Sequence, residues 1–292
     1  MLDEAHEDCG KRLKDDNTYV IGHITGHNCV LACLPVGLYG TTSATSVATE
    51  MRFTFPLIEF WLLVGIRGGA PGAHADIRLG DAVVGIPSPG RDGVIPYDYG
   101  KTLAEGKFIQ TASINKPPVA ILTAVSKLQA GDRTKQQTSI SEMAKRSGQV
   151  LGMARPPRSS EDPKIHYRTT ASGNQVIKDA ATRDKLAKEL AILCFKIEAA
   201  GVVNFPFLSI HSTCNYADAH KNKQWQGYLA AAAAAYAQKL LTMMSPVNMA
   251  TPPAVSEIDL RKKQESFIDS IWFDRLHSRH NTIKGAHART CK

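Results

Sequence analysis

A chain of 292 residues with 43% hydrophobic side chains can bury a sizeable core, and its net charge of +8 sits on interleaved acidic and basic residues. That interleaving argues against a nucleic-acid footprint and for a solvated basic surface. The longest apolar run, around Ala230 to Ala235, is too short to span a bilayer, and six scattered cysteines without a Cys-x-x-Cys pair exclude a zinc ribbon or a disulfide framework.

The opening residues Met1 to Asp8 are acidic and lack the apolar stretch of a secretory leader, so a cytoplasmic protein is expected. Tyr19–Ile24 and Asn28–Leu34 read as two strands joined at Thr25-Gly26-His27, a β-hairpin. Pro35 to Ser43 is a glycine- and hydroxyl-rich turn that opens a helix to about Phe53, with Thr41, Thr42 and Ser43 as candidate N-caps. Phe60–Val64 is an uninterrupted apolar strand, and Gly65-Ile66-Arg67-Gly68-Gly69 reads as a glycine turn after it, where backbone can approach a ligand. The glycine spacing is not that of a dinucleotide fingerprint, and no P-loop occurs.

Asp76 to Asp81 leads into a strand at Ala82–Ile86, Pro87 to Gly93 is a loop, and Pro117 to Leu128 is helical after a proline start. The polar stretch 131–164 is expected to be a mobile excursion. Ala171 to Asp179 passes from a strand through a glycine turn, and Asp179 to Ile192 has helical spacing. Glu198 then opens a small-residue turn, Phe205–Ile210 is a strand, and Asn215 and Asp218 form a polar cluster at its end, the usual place for a site in an open α/β sheet. The stripe Trp225, Tyr228, Leu229, Ala232, Tyr236 and Leu240 makes Gln224 to Met243 an amphipathic helix. The organisation expected is a domain over 1–244, a proline-bearing linker over 245–254 and a charged helical tail over 255–292.

Six blocks in order resemble the purine nucleoside and uridine phosphorylase superfamily, in the branch attached to fungal NACHT-type, NLR-like proteins. They are Gly37 to Ala44, Val64 to Gly69, Asp76 to Asp81, Ala171 to Asp179, Ile197 to Gly201 and Tyr216 to Lys223. The end of the chain, Phe273 to Lys292, resembles the segment preceding a NACHT domain. The resemblance implies a three-layer α-β-α fold around a central mixed, twisted sheet. It also implies cleavage of the N-glycosidic bond of a purine nucleoside or nucleotide, with a homo-oligomer as the family's usual assembly and the 255–292 tail as the route to an NLR-type partner.

Carried over by resemblance, Glu198 accepts hydrogen bonds from ribose hydroxyls, with Ile197 packed on the sugar. Gly68 and Gly69 lie along base and sugar, Val176 and Ile177 flank the base, and Asp218, in the block Tyr216 to Lys223, is expected to bind substrate as well. Asn215 stands where the family usually has the aspartate that protonates the leaving base, a step worth about 10²–10⁴-fold, so attenuated activity is expected. Lys196 places a cation beside Glu198, and Arg67 replaces a small residue and is expected to crowd the pocket. Ile66 and Leu63 occupy the places of the phosphate-binding serine and arginine, so water rather than phosphate is the expected nucleophile, with no cofactor. The family's first strand would precede Met1, which is expected to leave backbone unpaired in the sheet. The alternative is a catalytically degenerate nucleoside-binding or interaction module.

Overall fold

The computed structural model describes residues 2–6, 15–72, 76–104, 108–111, 116–133, 163–220 and 226–246. Contacts divide the chain into Met1–Pro246 and Val247–Lys292, and the described residues all belong to the first unit. Most of the stretch read as a mobile excursion, nearly all of the linker and the whole charged tail lie outside the described residues.

Strand β1 (Glu4–Ala5) pairs with β2 (Tyr19–Ile24), which forms a hairpin with β3 (His27–Ala32). Thr25 and Gly26 both have positive φ, 51° and 82°, the two-residue turn geometry whose twist suits a hairpin. His27 therefore belongs to β3, not to the turn, and its buried Nε2 meets Leu241 O at 3.1 Å.

The centre is a seven-stranded mixed sheet in the order β6-β10-β11-β4-β12-β5-β9. These strands are β4 (Trp61–Gly69), β5 (Ala82–Gly85), β6 (Val94–Pro96), β9 (Ile165–Tyr167), β10 (Thr170–Ser172), β11 (Cys194–Lys196) and β12 (Phe207–Asn215); β7 (Gly100–Thr102) and β8 (Phe108–Gln110) form a separate ribbon. Two strands are longer than the sequence reading. Gly65 to Gly69 is the second half of β4 rather than a turn, because its glycines lie flat against β12 in parallel register. β12 continues past Ile210 because Leu208, Ile210, Ser212 and Cys214 alternate with Ser209, His211 and Thr213, a period of two that gives one mainly apolar and one polar face.

The apolar face packs on α2 (Val119–Arg133) and α4 (Gln226–Thr242), where Leu208, Ile210, Val84, Ile121, Leu128, Tyr236 and Leu240 make the main core. Farther along, Ala171 and Phe195 pack against Leu186 and Leu190 of α3 (Ala180–Leu190), capped by the Asp179 side chain on Thr182 N. The other face meets α1 (Thr41–Thr54) and the 3-10 turn Glu198–Val202. The expected hydroxyl caps of α1 do not act as such. Gly40 is the N-cap, and Asn174 Oδ1 accepts from Thr41 N (3.4 Å) and Thr41 Oγ1 (3.2 Å) across the site loop.

β4 is central, yet its two edges differ. Along one edge it pairs with β12 from Trp61 to Gly68; along the other, strand pairing among the described residues is limited to Gly68 and Gly69 with β11. Trp61 N donates to Pro206 O. In a parallel ladder this turns alternate residues Leu62, Val64 and Ile66 to the opposite edge. There Ile66 O accepts from Lys196 Nζ at 3.1 Å, a side chain in place of a strand.

Candidate functional site

Asn215 ends β12 in a bulge beside Gly68. A Cβ at Gly68 would stand 3.0 Å from Asn215 Oδ1 and 2.9 Å from Ala217 Cβ, and one at Gly69 would stand 2.6 Å from Thr213 Cγ2, so only glycine lets β4 run beneath this corner. The Asn215 amide is held by its own loop: Oδ1 accepts from Ala217 N at 2.9 Å and Nδ2 points at Cys214 Sγ at 3.1 Å. It can donate a hydrogen bond through Nδ2 but has no proton to give up.

Ile177 packs in the cluster of Ala70, Tyr97, Phe195 and Ala217, one residue from the half-exposed Val176. Their loop is fixed at several points. Tyr97 OH donates to Gln175 O, Asn174 N donates to Asp98 Oδ2 at 2.6 Å, and Gly173 N donates to Lys196 O at 3.3 Å. A Cβ on Gly173 would lie 2.6 Å from the Tyr97 ring, so glycine is required there as well. Burial pushes the Tyr97 phenol up to about 12, with the Asp98 charge adding to it.

Glu198 is 9% exposed and opens the 3-10 turn directly after Ile197. Lys196 Nζ forms an ion pair with Glu198 Oε2 at 2.8 Å and donates to Ile66 O at 3.1 Å. Ser172 Oγ fixes the turn by accepting from Ala200 N at 2.7 Å. Ile197 reaches Gly40, its Cγ2 being 3.7 Å from where a Cβ would be, which brings the start of α1 to the same place. Lys196 thus lies beside Ile66 and Asn215 beside Gly68, two residues apart along β4, or about 7 Å. The sequence-derived residues Gly68, Asn215, Ile177, Ile197 and Glu198 therefore gather around β4 and β11.

Asp218 is engaged differently. It lies 3.8 Å from Arg183 Nη1 and accepts from His220 N at 2.9 Å, while Arg183 also donates to Tyr216 O, so it ties the loop after β12 to α3. Asp81 is likewise structural: its carboxylate accepts from Arg78 N and Lys164 N and meets His166 Nε2 at 3.1 Å.

Arg67 does not crowd a pocket mouth. It is 3% exposed and turns inward, donating through Nη1 to Cys194 Sγ (2.6 Å) and Thr170 Oγ1 (3.2 Å). Its Nε and Nη2 have no hydrogen-bond partner among the described residues. Burial lowers its pKa, opposed by the Cys194 sulfur, and burial raises that of the Cys194 thiol. Beside it His211, with Nδ1 on Ser209 Oγ at 2.9 Å, is held neutral: burial lowers its pKa well below the usual histidine range, reinforced by Lys196 and Arg67. Sequence reasoning missed this buried layer by ending the strand at Ile210; the alternation of Ser209, His211 and Thr213 with Leu208 and Ile210 is the signal that could have found it.

No protein-family model matches the sequence. An NLR-like nucleotide-binding leucine-rich repeat protein of Hyaloscypha variabilis is 40% identical over 279 residues, covering 84% of this chain and 28% of that protein. The chain thus spans less than a third of the length of this curated relative. Among solved structures, the Neisseria meningitidis 5'-methylthioadenosine/S-adenosylhomocysteine nucleosidase in complex with methylthio-immucillin-A superposes with a TM-score of 0.58 at 15% identity, covering 84% of this chain and 92% of that one. The futalosine hydrolase of Helicobacter pylori gives 0.52 at 17% identity, covering 81% and 87%.

Proposed function

On the premise that this chain has the fold of the purine nucleoside and uridine phosphorylase superfamily and is a relative of a fungal NLR-like protein, we propose that it binds a purine nucleoside or nucleotide and hydrolyses its N-glycosidic bond slowly. The observation that carries this reading is the gathering of Glu198, Ile197, Gly68, Ile177 and Asn215 around one stretch of β4. Glu198 accepts from the ribose hydroxyls, and Ile197 packs on the sugar. The backbone of Gly68 and Gly69 runs along the base and sugar, and Val176 and Ile177 flank the base. Asn215 Nδ2 donates to a ring nitrogen. As the bond breaks, positive charge grows on the ribose, where a buried carboxylate stabilises it, and negative charge grows on the base, where an amide hydrogen bond helps less than a proton transfer. Leu63 and Ile66 offer phosphate no clamp, so water is the nucleophile and no cofactor is needed. The nucleosidase and futalosine hydrolase folds support hydrolysis at the level of the scaffold.

A second reading, a nucleoside-binding module that does not turn over, is favoured by the Lys196–Glu198 ion pair at 2.8 Å, which competes with the ribose hydroxyls for the carboxylate. In either case the domain is proposed to serve a larger cytoplasmic NLR-like assembly, as a homo-oligomer or through the 255–292 tail.

The test is incubation of purified protein with adenosine, inosine, 5'-methylthioadenosine and ATP, with and without phosphate, following free base by chromatography. Expected is slow, phosphate-independent release that Asn215→Asp raises by about 10²-fold, the lower end of what a general acid contributes, and that Glu198→Gln abolishes. No release from either wild type or Asn215→Asp, together with retained nucleoside binding, selects the second reading.

A further inference from the structure

We propose that Glu4, His6 and His23 form a binding site for a divalent transition-metal ion, with zinc the best match, that clamps β1 onto the β2–β3 hairpin. Glu4 lies in β1 and His6 directly follows it, still bonded to β2 through its backbone, so the two side chains, two residues apart, share a face. Glu4 is in direct register with His23, and His6 N donates to Ile21 O at 2.8 Å, which brings the third side chain to that face. His6 Nε2 lies 3.1 Å from His23 Nδ1, His23 Nδ1 lies 3.8 Å from Glu4 Oε2, and all three atoms fall within 4.8 Å of one another. Tetrahedral zinc with bonds of about 2.0–2.2 Å places its ligand atoms roughly 3.3–3.6 Å apart, between the two observed separations.

The backbone beneath is prepared for this without a metal. Asp3 N donates to His23 O at 2.8 Å, and the Asp3 carboxylate accepts from Thr25 N. Gly22 makes the close pairing possible, since a Cβ there would stand 2.1 Å from Glu4 O. Two imidazoles and one carboxylate suit zinc, cobalt, nickel or copper rather than calcium or magnesium, which prefer all-oxygen ligands. Glu4 and His6 are exposed and His23 is half-buried, so an ion has access and water can complete its coordination. The ion replaces the one proton that two neutral imidazoles at 3.1 Å can share, and joins two strands whose ladder is only two residues long.

Other histidines, His277, His280 and His287 among them, offer competing ligands, so the experiment compares variants. Full-length protein stripped with EDTA is titrated with zinc chloride by calorimetry and with cobalt chloride by visible absorption. Wild type is expected to bind one equivalent more than the His6→Ala/His23→Ala double variant and to show a tetrahedral cobalt band that the variant lacks. Glu4→Gln is expected to weaken that equivalent by at least about tenfold. Zinc should raise the melting temperature of wild type and not of the double variant, whose metal-free circular dichroism should match wild type. Equal stoichiometry and affinity in wild type and double variant overturn the proposal, as does an equivalent that disappears only when the C-terminal histidines are replaced.

Discussion

Val64 and Ile210 face each other in register on adjacent nine-residue strands at the centre of the sheet, yet Ile210 is completely buried and Val64 is 36% exposed. Every residue of β12 from Phe207 to Cys214 is buried, because β4 and β5 flank it on both sides. β4 is apolar from Trp61 to Val64, but before Gly68 its second edge has no strand partner among the described residues and meets the Lys196 side chain at Ile66 O. Burial of a central strand therefore depends on both edges as well as both faces. The largest consequence is for truncations. Ile210→Ala should cost about 3–4 kcal/mol, whereas Val64→Ala should cost about 1 kcal/mol or less because water already reaches the site. Chemical denaturation of the two variants measures this, and equal losses would show that the edge of β4 is covered.

Much of this contrast could be read from residues, and some could not. Gly26 announced the hairpin, being free to adopt positive φ, whereas β-branched Thr25 at φ 51° hid the two-residue turn and let His27 read as part of it. The stripe Tyr228, Leu229, Ala232, Tyr236 and Leu240 announced α4. The glycines of β4 misled, because the same residue type serves a turn and a flat strand under a close neighbour; only the register with Thr213 and Asn215 distinguishes them. Lys196 beside Glu198 was visible as spacing, and the ion pair followed. Glu4, His6 and His23 were not visible as a group, because their convergence depends on pairing across seventeen residues of chain.

The second register pair of interest is Arg67 with Thr213. On β4 this position carries a buried guanidinium with two unpartnered nitrogens and no carboxylate within ion-pair reach among the described residues, whereas its β12 neighbour is a small hydroxyl. Removing a charge from water is costly unless it is fully compensated, and two hydrogen bonds through Nη1 compensate only in part. Arg67→Met, similar in length and apolar, should raise stability by about 1–2 kcal/mol. A loss of stability by denaturant titration would mean that the guanidinium is compensated beyond its two bonds to Cys194 and Thr170.

The third pair, Gly65 with His211, carries the smallest effect and sets its sign by pH. The imidazole lies directly beside the Gly65 backbone, its Cδ2 3.5 Å from where a Cβ would stand, an ordinary van der Waals separation. Burial, reinforced by Lys196 and Arg67, keeps His211 neutral in the folded chain, while in the unfolded chain it takes up a proton near pH 6.5. The unfolded state then binds more protons on acidification. Stability linked to His211 is full above about pH 6.5 and falls below it, by at most about 1.4 kcal/mol over the first pH unit. His211→Asn keeps an amide group where Nδ1 meets Ser209 Oγ and does not titrate. The difference in unfolding free energy between wild type and this variant, followed from pH 7.5 to 5.5, should therefore move against wild type as the pH falls. A difference that stays constant over that range would place the ring in contact with water, through the open edge of β4.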